Sequence, residues 1–156
     1  MQHLCYTSDM KQKTNKSLRR LVLFLVKSIY IEEQVQRLQT NACDDDVFAA
    51  YPISRMQLEK VLGVTRSTIK KWEKILYWRL PAFREQYPKR KVNGKIERNT
   101  EAKLRPYQIW CLGRFGRLSR FHTIEEMKHV VEVNPEAFSL AAYRHAYKEI
   151  KSSCQN

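Results

Sequence analysis

ISRMQLEKVLGVTRSTIKKWEKILY, residues 53–77, spells two short helices with a tight corner between them. Ser54 followed by Gln57 has the capping-box spacing, in which two otherwise unpaired backbone N–H groups are satisfied reciprocally. Leu58, Val61 and Leu62 then fall on one apolar face. Gly63 is suited to the left-handed conformation that ends a helix, and Val64 is expected to drop back into the core. Thr65 is a second N-cap, and Ile69, Trp72, Ile75 and Leu76 follow at helical spacing.

The second helix carries Arg66, Ser67, Thr68, Lys70, Lys71 and Lys74 away from that apolar face. Such a helix suits a DNA major groove, where Arg and Lys reach guanine or phosphate and hydroxyls bond bases or backbone. Glu59 departs from many helix-turn-helix units, which place a small residue there, and is expected to rotate outward. The plainer alternative is a helical hairpin with a solvated basic face.

Downstream, Pro81 and Pro88 bracket a short helical turn. KRKV, Asn93-Gly94 and KIER then form a hairpin signal, because Asn-Gly supplies both positive-φ positions of a type I′ turn. Lys89, Arg90, Lys91, Asn93, Lys95 and Arg98 make this hairpin cationic, as expected of a wing that lies along the DNA backbone or enters the minor groove. Next, residues 105–121 read RPYQIWCLGRFGRLSRF, in which Ile109, Trp110, Leu112 and Phe115 form an apolar face before Gly113 and Gly116 loosen the helix. Thr123 and Glu126 form another capping box. Pro135 is expected to start a last helix with Phe138, Ala142, Tyr143, Ala146, Tyr147 and Ile150 in one stripe.

Upstream, residues 1–16 are polar and unpatterned, and a mobile segment is expected. LVLFLV at 21–26 is too short for a signal peptide or a membrane span. Residues 17–39 read as one long helix with two apolar stripes, which need covering by the domain's own core or by the same helix in a second copy; dimerisation is the expectation for so small a DNA-binding protein. The loop 41–52 contains Asp44, Asp45 and Asp46, expected to be solvated rather than metal-binding, since no companion carboxylates sit at a helpful spacing.

The 156-residue chain has a formal net charge of +13. Between Arg66 and Arg120 stand 16 Lys or Arg against four acids, so nearly all the excess lies in this block. That is the footprint of a protein that binds a polyanion, most simply nucleic acid. Cys5, Cys43, Cys111 and Cys154 are far apart, which argues against a zinc ribbon or a disulfide framework and fits the cytosol. His122, His129 and His145 lack ligand spacing. No cofactor, metal or small-molecule effector is expected, and no catalytic constellation is visible.

The order of these elements resembles the DNA-binding domain of MerR-type regulators over residues 53–133. That family's helix-turn-helix follows Leu-x-x-x-x-Gly-Val-x-x-x-Thr-Ile-Arg-x-Tyr-Glu. Leu58, Gly63, Val64, Thr68, Ile69 and Glu73 match, while Lys70 and Trp72 replace its Arg and Tyr. The segment between Tyr77 and Lys91 is longer than the usual connection to the wing, and the chain stops without the family's long dimer helix and effector domain. In length and in its N-terminal helix it is similar to the small MerR-type repressors of type V-K CRISPR-associated transposons.

The resemblance implies a mainly α winged helix-turn-helix, flanked by N- and C-terminal helices, with residues 134–156 forming the last. It implies a homodimer on an inverted repeat of double-stranded DNA, repressing a promoter beside a CRISPR effector gene. An excisionase-like or architectural accessory factor of recombination shares the fold type and is the alternative.

Overall fold

The computed structural model describes residues 46–153, all within one compact unit. The expected N-terminal segment, the helix over 17–39, Asp44, Asp45, Cys5, Cys43 and Cys154 lie outside the described residues. The described chain is mainly helical, with one two-stranded antiparallel hairpin.

Helix α1 (Arg55–Leu62) begins at the capping box. The Gln57 N–H donates to Ser54 Oγ at 3.2 Å, and the Ser54 N–H donates to Gln57 Oε1 at 2.9 Å. Gly63, at φ 66°, ends α1, and its N–H donates to the Glu59 carbonyl. Thr65 caps α2 (Arg66–Arg79), its hydroxyl accepting the Thr68 N–H. Pro81 opens the short helix α3 (Pro81–Gln86) at a first-turn position, where no N–H is missed. Strands β1 (Lys89–Val92) and β2 (Lys95–Arg98) pair with Lys89 opposite Arg98 and Val92 opposite Lys95. Asn93 and Gly94 take φ of 50° and 79°, both positive as a type I′ turn requires.

Helix α4 (Pro106–Leu118) is the centre of the body. Ile109, Trp110, Leu112 and Phe115 are fully buried on it, and α1, α2, α3 and the last helix, α6 (Leu140–Ser153), all pack against it. Its glycines do not loosen it, contrary to the sequence expectation. A β-carbon at Gly116 would lie 2.6 Å from Trp72 Cζ3, and one at Gly113 would lie 3.2 Å from Val47 Cβ. Both positions are close approaches, so the missing side chains let α2 and the segment before α1 settle onto the helix.

Asp46 is also not the solvated acid expected from its loop. Its side chain is fully buried and accepts from Trp110 Nε1 at 3.2 Å and from the buried Arg114 guanidinium at 3.0 Å, with Arg117 at 3.2 Å. A carboxylate leaves water for such a place only because two guanidiniums and an indole N–H replace its hydration. Phe48, close behind it, stacks on Tyr143 of α6 and meets Tyr147 at a tilt.

Helix α5 (Ile124–Val133) starts at the expected Thr123–Glu126 capping box. The chain after Asn134 departs from expectation. Pro135–Phe138 is a single 3₁₀ turn, and α6 begins after Ser139, whose hydroxyl accepts the Ala142 N–H at 3.1 Å. A local cap therefore restarts the helix where a continuous one was expected. Phe138 and Ala146 of the expected stripe are buried, and Ala142, Tyr143, Tyr147 and Ile150 are half-buried. Val61 is 54% exposed, contrary to its expected place on a core face. With Leu62 and Val64 it lines an open cavity of about 230 Å³ between α1 and α4.

Candidate nucleic-acid interface

The face of α2 that meets the core is made by Ile69, Trp72, Glu73 and Leu76, all buried. Helical periodicity then forces Ser67, Lys70, Lys71 and Lys74 outward, and all four are exposed. Thr68 is half-buried at the edge of that face, with its hydroxyl 3.0 Å from Thr65 Oγ1. Arg66 is exposed but engaged. Its N–H donates to Glu59 Oε1 at 2.6 Å, and its guanidinium bonds Glu59 Oε2 at 3.2 Å. The outward rotation expected of Glu59 thus sets its carboxylate on the N-terminus of α2, where the helix dipole favours it. A ligand that recruits Arg66 has only a solvent-exposed ion pair to displace, worth about 0.2–1 kcal/mol.

The hairpin presents a second set of cations. Lys89, Arg90, Lys91, Asn93 and Lys95 are exposed, and Arg98 is half-buried. Arg90 lies 3.6 Å from Glu101, also exposed. The Arg98 guanidinium lies over the Tyr77 ring, 4.7 Å from its centroid, which seats the base of the hairpin against the later turns of α2. Among the described residues, none of Lys70, Lys71, Lys74, Lys89, Lys91, Lys95 and Arg98 forms an ion pair with an acid. Arg66 and Arg90 are exposed as well, each beside one weak partner.

What fixes the hairpin against the helices is a buried cluster that sequence reasoning did not find. Arg55, at the start of α1, donates through Nε to Glu73 Oε1 at 2.7 Å and through Nη2 to Glu73 Oε2 at 2.8 Å. The same guanidinium bonds the Tyr87 hydroxyl at 2.9 Å and the Ala102 carbonyl at 2.9 Å. Tyr87 precedes β1 and Ala102 follows β2, so one side chain ties both ends of the hairpin to α1 and α2. The Tyr87 hydroxyl also donates to Glu73. Burial opposes the Arg55 charge, but the hydrogen bond and charge of Glu73 outweigh it and leave the guanidinium pKa above its ordinary value. Burial, together with the neighbouring carboxylate, pushes the Tyr87 phenol up.

Backbone contacts complete the frame. The Asn99 N–H donates to the Pro88 carbonyl at 2.8 Å, and Asn99 Oδ1 accepts the N–H groups of Glu101 and Ala102. Ile53 and Leu104 exchange two backbone hydrogen bonds beside it.

One signal for this cluster was present in the sequence. Glu73 falls between Ile69 and Leu76 on the buried face of α2, and a carboxylate there requires a buried cation. Nothing local pointed to Arg55 as that cation. Among the described residues, no group of His, Cys, Asp and Glu is arranged to hold a metal ion, and no helix is long and apolar enough to cross a membrane. No protein-family model, curated protein or solved structure matches this chain.

Proposed function

We propose that this protein is a winged helix-turn-helix transcriptional repressor that binds double-stranded DNA, acting as a homodimer on an inverted repeat at a promoter. In this reading α1 and α2 are the helix-turn-helix, α2 enters the major groove, and the hairpin is the wing. Arg66, Ser67, Lys70 and Lys71 stand at or near base edges, with Thr68 at the margin. Lys74 and the hairpin residues Lys89, Arg90, Lys91, Asn93, Lys95 and Arg98 hold phosphates. The observation that carries the reading is the set of unpaired cations shared by α2 and the hairpin, two elements locked together by Arg55. Cations left without acids on a rigid frame are complementary to a polyanion of fixed shape. The resemblance of residues 53–133 to MerR-type regulators, including those of type V-K transposons, supports the same function. It also supports a place of action in the cytoplasm, on the nucleoid.

The test is selection of bound fragments from a random duplex pool at near-physiological salt with competitor DNA, because so basic a surface binds any duplex at low salt. An inverted repeat is expected, with half-sites about one helical turn apart. Lys70→Ala or Lys71→Ala should lower affinity for that site by about 1–3 kcal/mol and relax the preference at one position. Lys91→Ala should weaken all sequences alike and reduce the salt slope by about 1. Recovered fragments with no shared sequence would refute the repressor reading. Long footprints without a dyad would favour an architectural factor instead.

A further inference from the structure

The exposed stripe of α2 does not end with its lysines. Ser67, Lys71 and Lys74 continue at helical spacing into Trp78, which is 62% exposed. The other two tryptophans are spent on the core, Trp72 at 4% and Trp110 at 0% exposure. An indole left in water on a cationic face is unusual, because this side chain carries a large apolar area normally covered. The Tyr77 ring meets it edge to face at 5.4 Å, and Tyr77 itself carries Arg98 of the hairpin.

Beside Trp78 a groove of about 510 Å³ opens between α2 and the start of α5. That volume lies within the range of roughly 300–1,000 Å³ typical of small-ligand sites. Ile75 and Ile124 line it, and Lys71, Lys74 and Lys128 edge it. The cations are not equivalent. Lys128 is tied to Glu125 at 2.5 Å, and Arg79, also on the edge, to Glu132 at 2.8 Å. Lys71 and Lys74 pair with no acid among the described residues.

The site therefore offers a flat aromatic face, an apolar wall beside it, and two ammonium groups one and two turns back along the same helix. A ligand matching all three features has planar rings strung on an anionic backbone. Stacked, paired bases in a duplex keep their faces covered, whereas unpaired bases leave them free for an aromatic side chain. An amphipathic protein helix would fill the apolar wall, but it would not need unpaired lysines flanking the indole.

We propose that the Trp78 groove binds unpaired nucleotides of single-stranded nucleic acid, with a base stacked on the indole and the adjoining phosphates on Lys71 and Lys74. The site lies beyond duplex recognition but shares those two lysines with it, so single strand and duplex compete for the protein.

The experiment measures binding of labelled thymidine and uridine oligonucleotides of about 12 residues, within the span that one stacking surface covers. The full chain and its Trp78→Ala and Trp78→Phe variants are compared, and a duplex of equal length is run beside them. The expected result is saturable single-strand binding that quenches tryptophan emission. Trp78→Ala should weaken it roughly 5- to 100-fold, the equivalent of one stacked base, and Trp78→Phe should retain most of it. The thymidine and uridine arms tell DNA from RNA.

Absence of quenching would overturn the proposal, as would a loss of duplex affinity in Trp78→Ala equal to the loss for single strands. Quenching by an acidic amphipathic peptide but by neither oligonucleotide would overturn it in favour of a protein partner. Trp78-dependent single-strand binding by a protein that selects no duplex site would refute the repressor reading alone.

Discussion

Replacing Arg55 with Met removes the charge that the interior of this protein is built to hold. The Arg55 and Glu73 side chains are only 6% and 4% exposed, and their two contacts measure 2.7 and 2.8 Å. Arg55→Met strands the Glu73 carboxylate with Tyr87 as its remaining donor and leaves the Ala102 carbonyl without its guanidinium. Breaking a buried pair from one side costs about 3–5 kcal/mol. Against a total stability of about 5–15 kcal/mol, that is a large share. With a urea slope of about 2 kcal/mol per molar, the midpoint should fall by about 2 M.

Removing both charges in Arg55→Met/Glu73→Leu should restore most of the loss, because a buried pair is often replaceable by apolar side chains of similar volume. The double variant nevertheless lacks the polar link from α1 to Tyr87 and Ala102. Its duplex affinity should stay low although its urea midpoint recovers. Urea denaturation and duplex titration on the same samples check both halves. A single-variant loss under about 1 kcal/mol, or a double variant no more stable than the single, would refute the account of Arg55 as a charge-compensated anchor.

Gly116→Ala should destabilise the protein by about 1–3 kcal/mol, since the new methyl would press on the buried Trp72 ring. Gly113→Ala should cost less because Val47 stands farther off, and thermal melts of the two variants give the ranking. Alkaline pH is a separate perturbation. Burial raises the pKa of Cys111, from an ordinary value near 9.0, and of Tyr107 and Tyr87, from 10.0. The unfolded chain then releases protons that the folded chain keeps, so stability is full below about pH 9 and falls as pH rises, at about 1.4 kcal/mol per unit for Cys111. In Cys111→Ala the decline should begin about one unit higher, and urea midpoints from pH 8 to 11 follow it.

The elements read correctly from sequence are those whose signals close within a few residues. Ser54 finds Gln57, Thr65 finds the Thr68 N–H, Thr123 finds Glu126, and Asn93-Gly94 makes its turn without help from elsewhere. The exposure of Lys70, Lys71 and Lys74 follows from the same local logic, since burying Ile69 and Trp72 settles where the other side chains go. Asp46 shows the opposite case. The two residues before it in sequence are acids, and its partner Arg114 stands 68 residues away. Arg55 and Glu73 are likewise distant partners, and Gly116 takes its meaning from a ring on another helix. Trp78 was legible as the next position along the lysine stripe, but an aromatic in a helical pattern reads as core until packing shows otherwise.

The place of α4 in the chain bears on when the surface becomes active. Helices α1, α2 and α3 all pack against α4, yet its residues, from Pro106 onward, follow every cation of α2 and the hairpin. On a ribosome adding about 5–20 residues per second, those cations emerge seconds before the helix that organises them. A nascent chain ending before α4 therefore carries these cations before the buried face of α4 is there for α1, α2 and α3 to pack on. On the proposed function, discrimination between duplex sequences begins only with synthesis of α4, so a chain that stops before it is expected to bind nucleic acid without sequence preference.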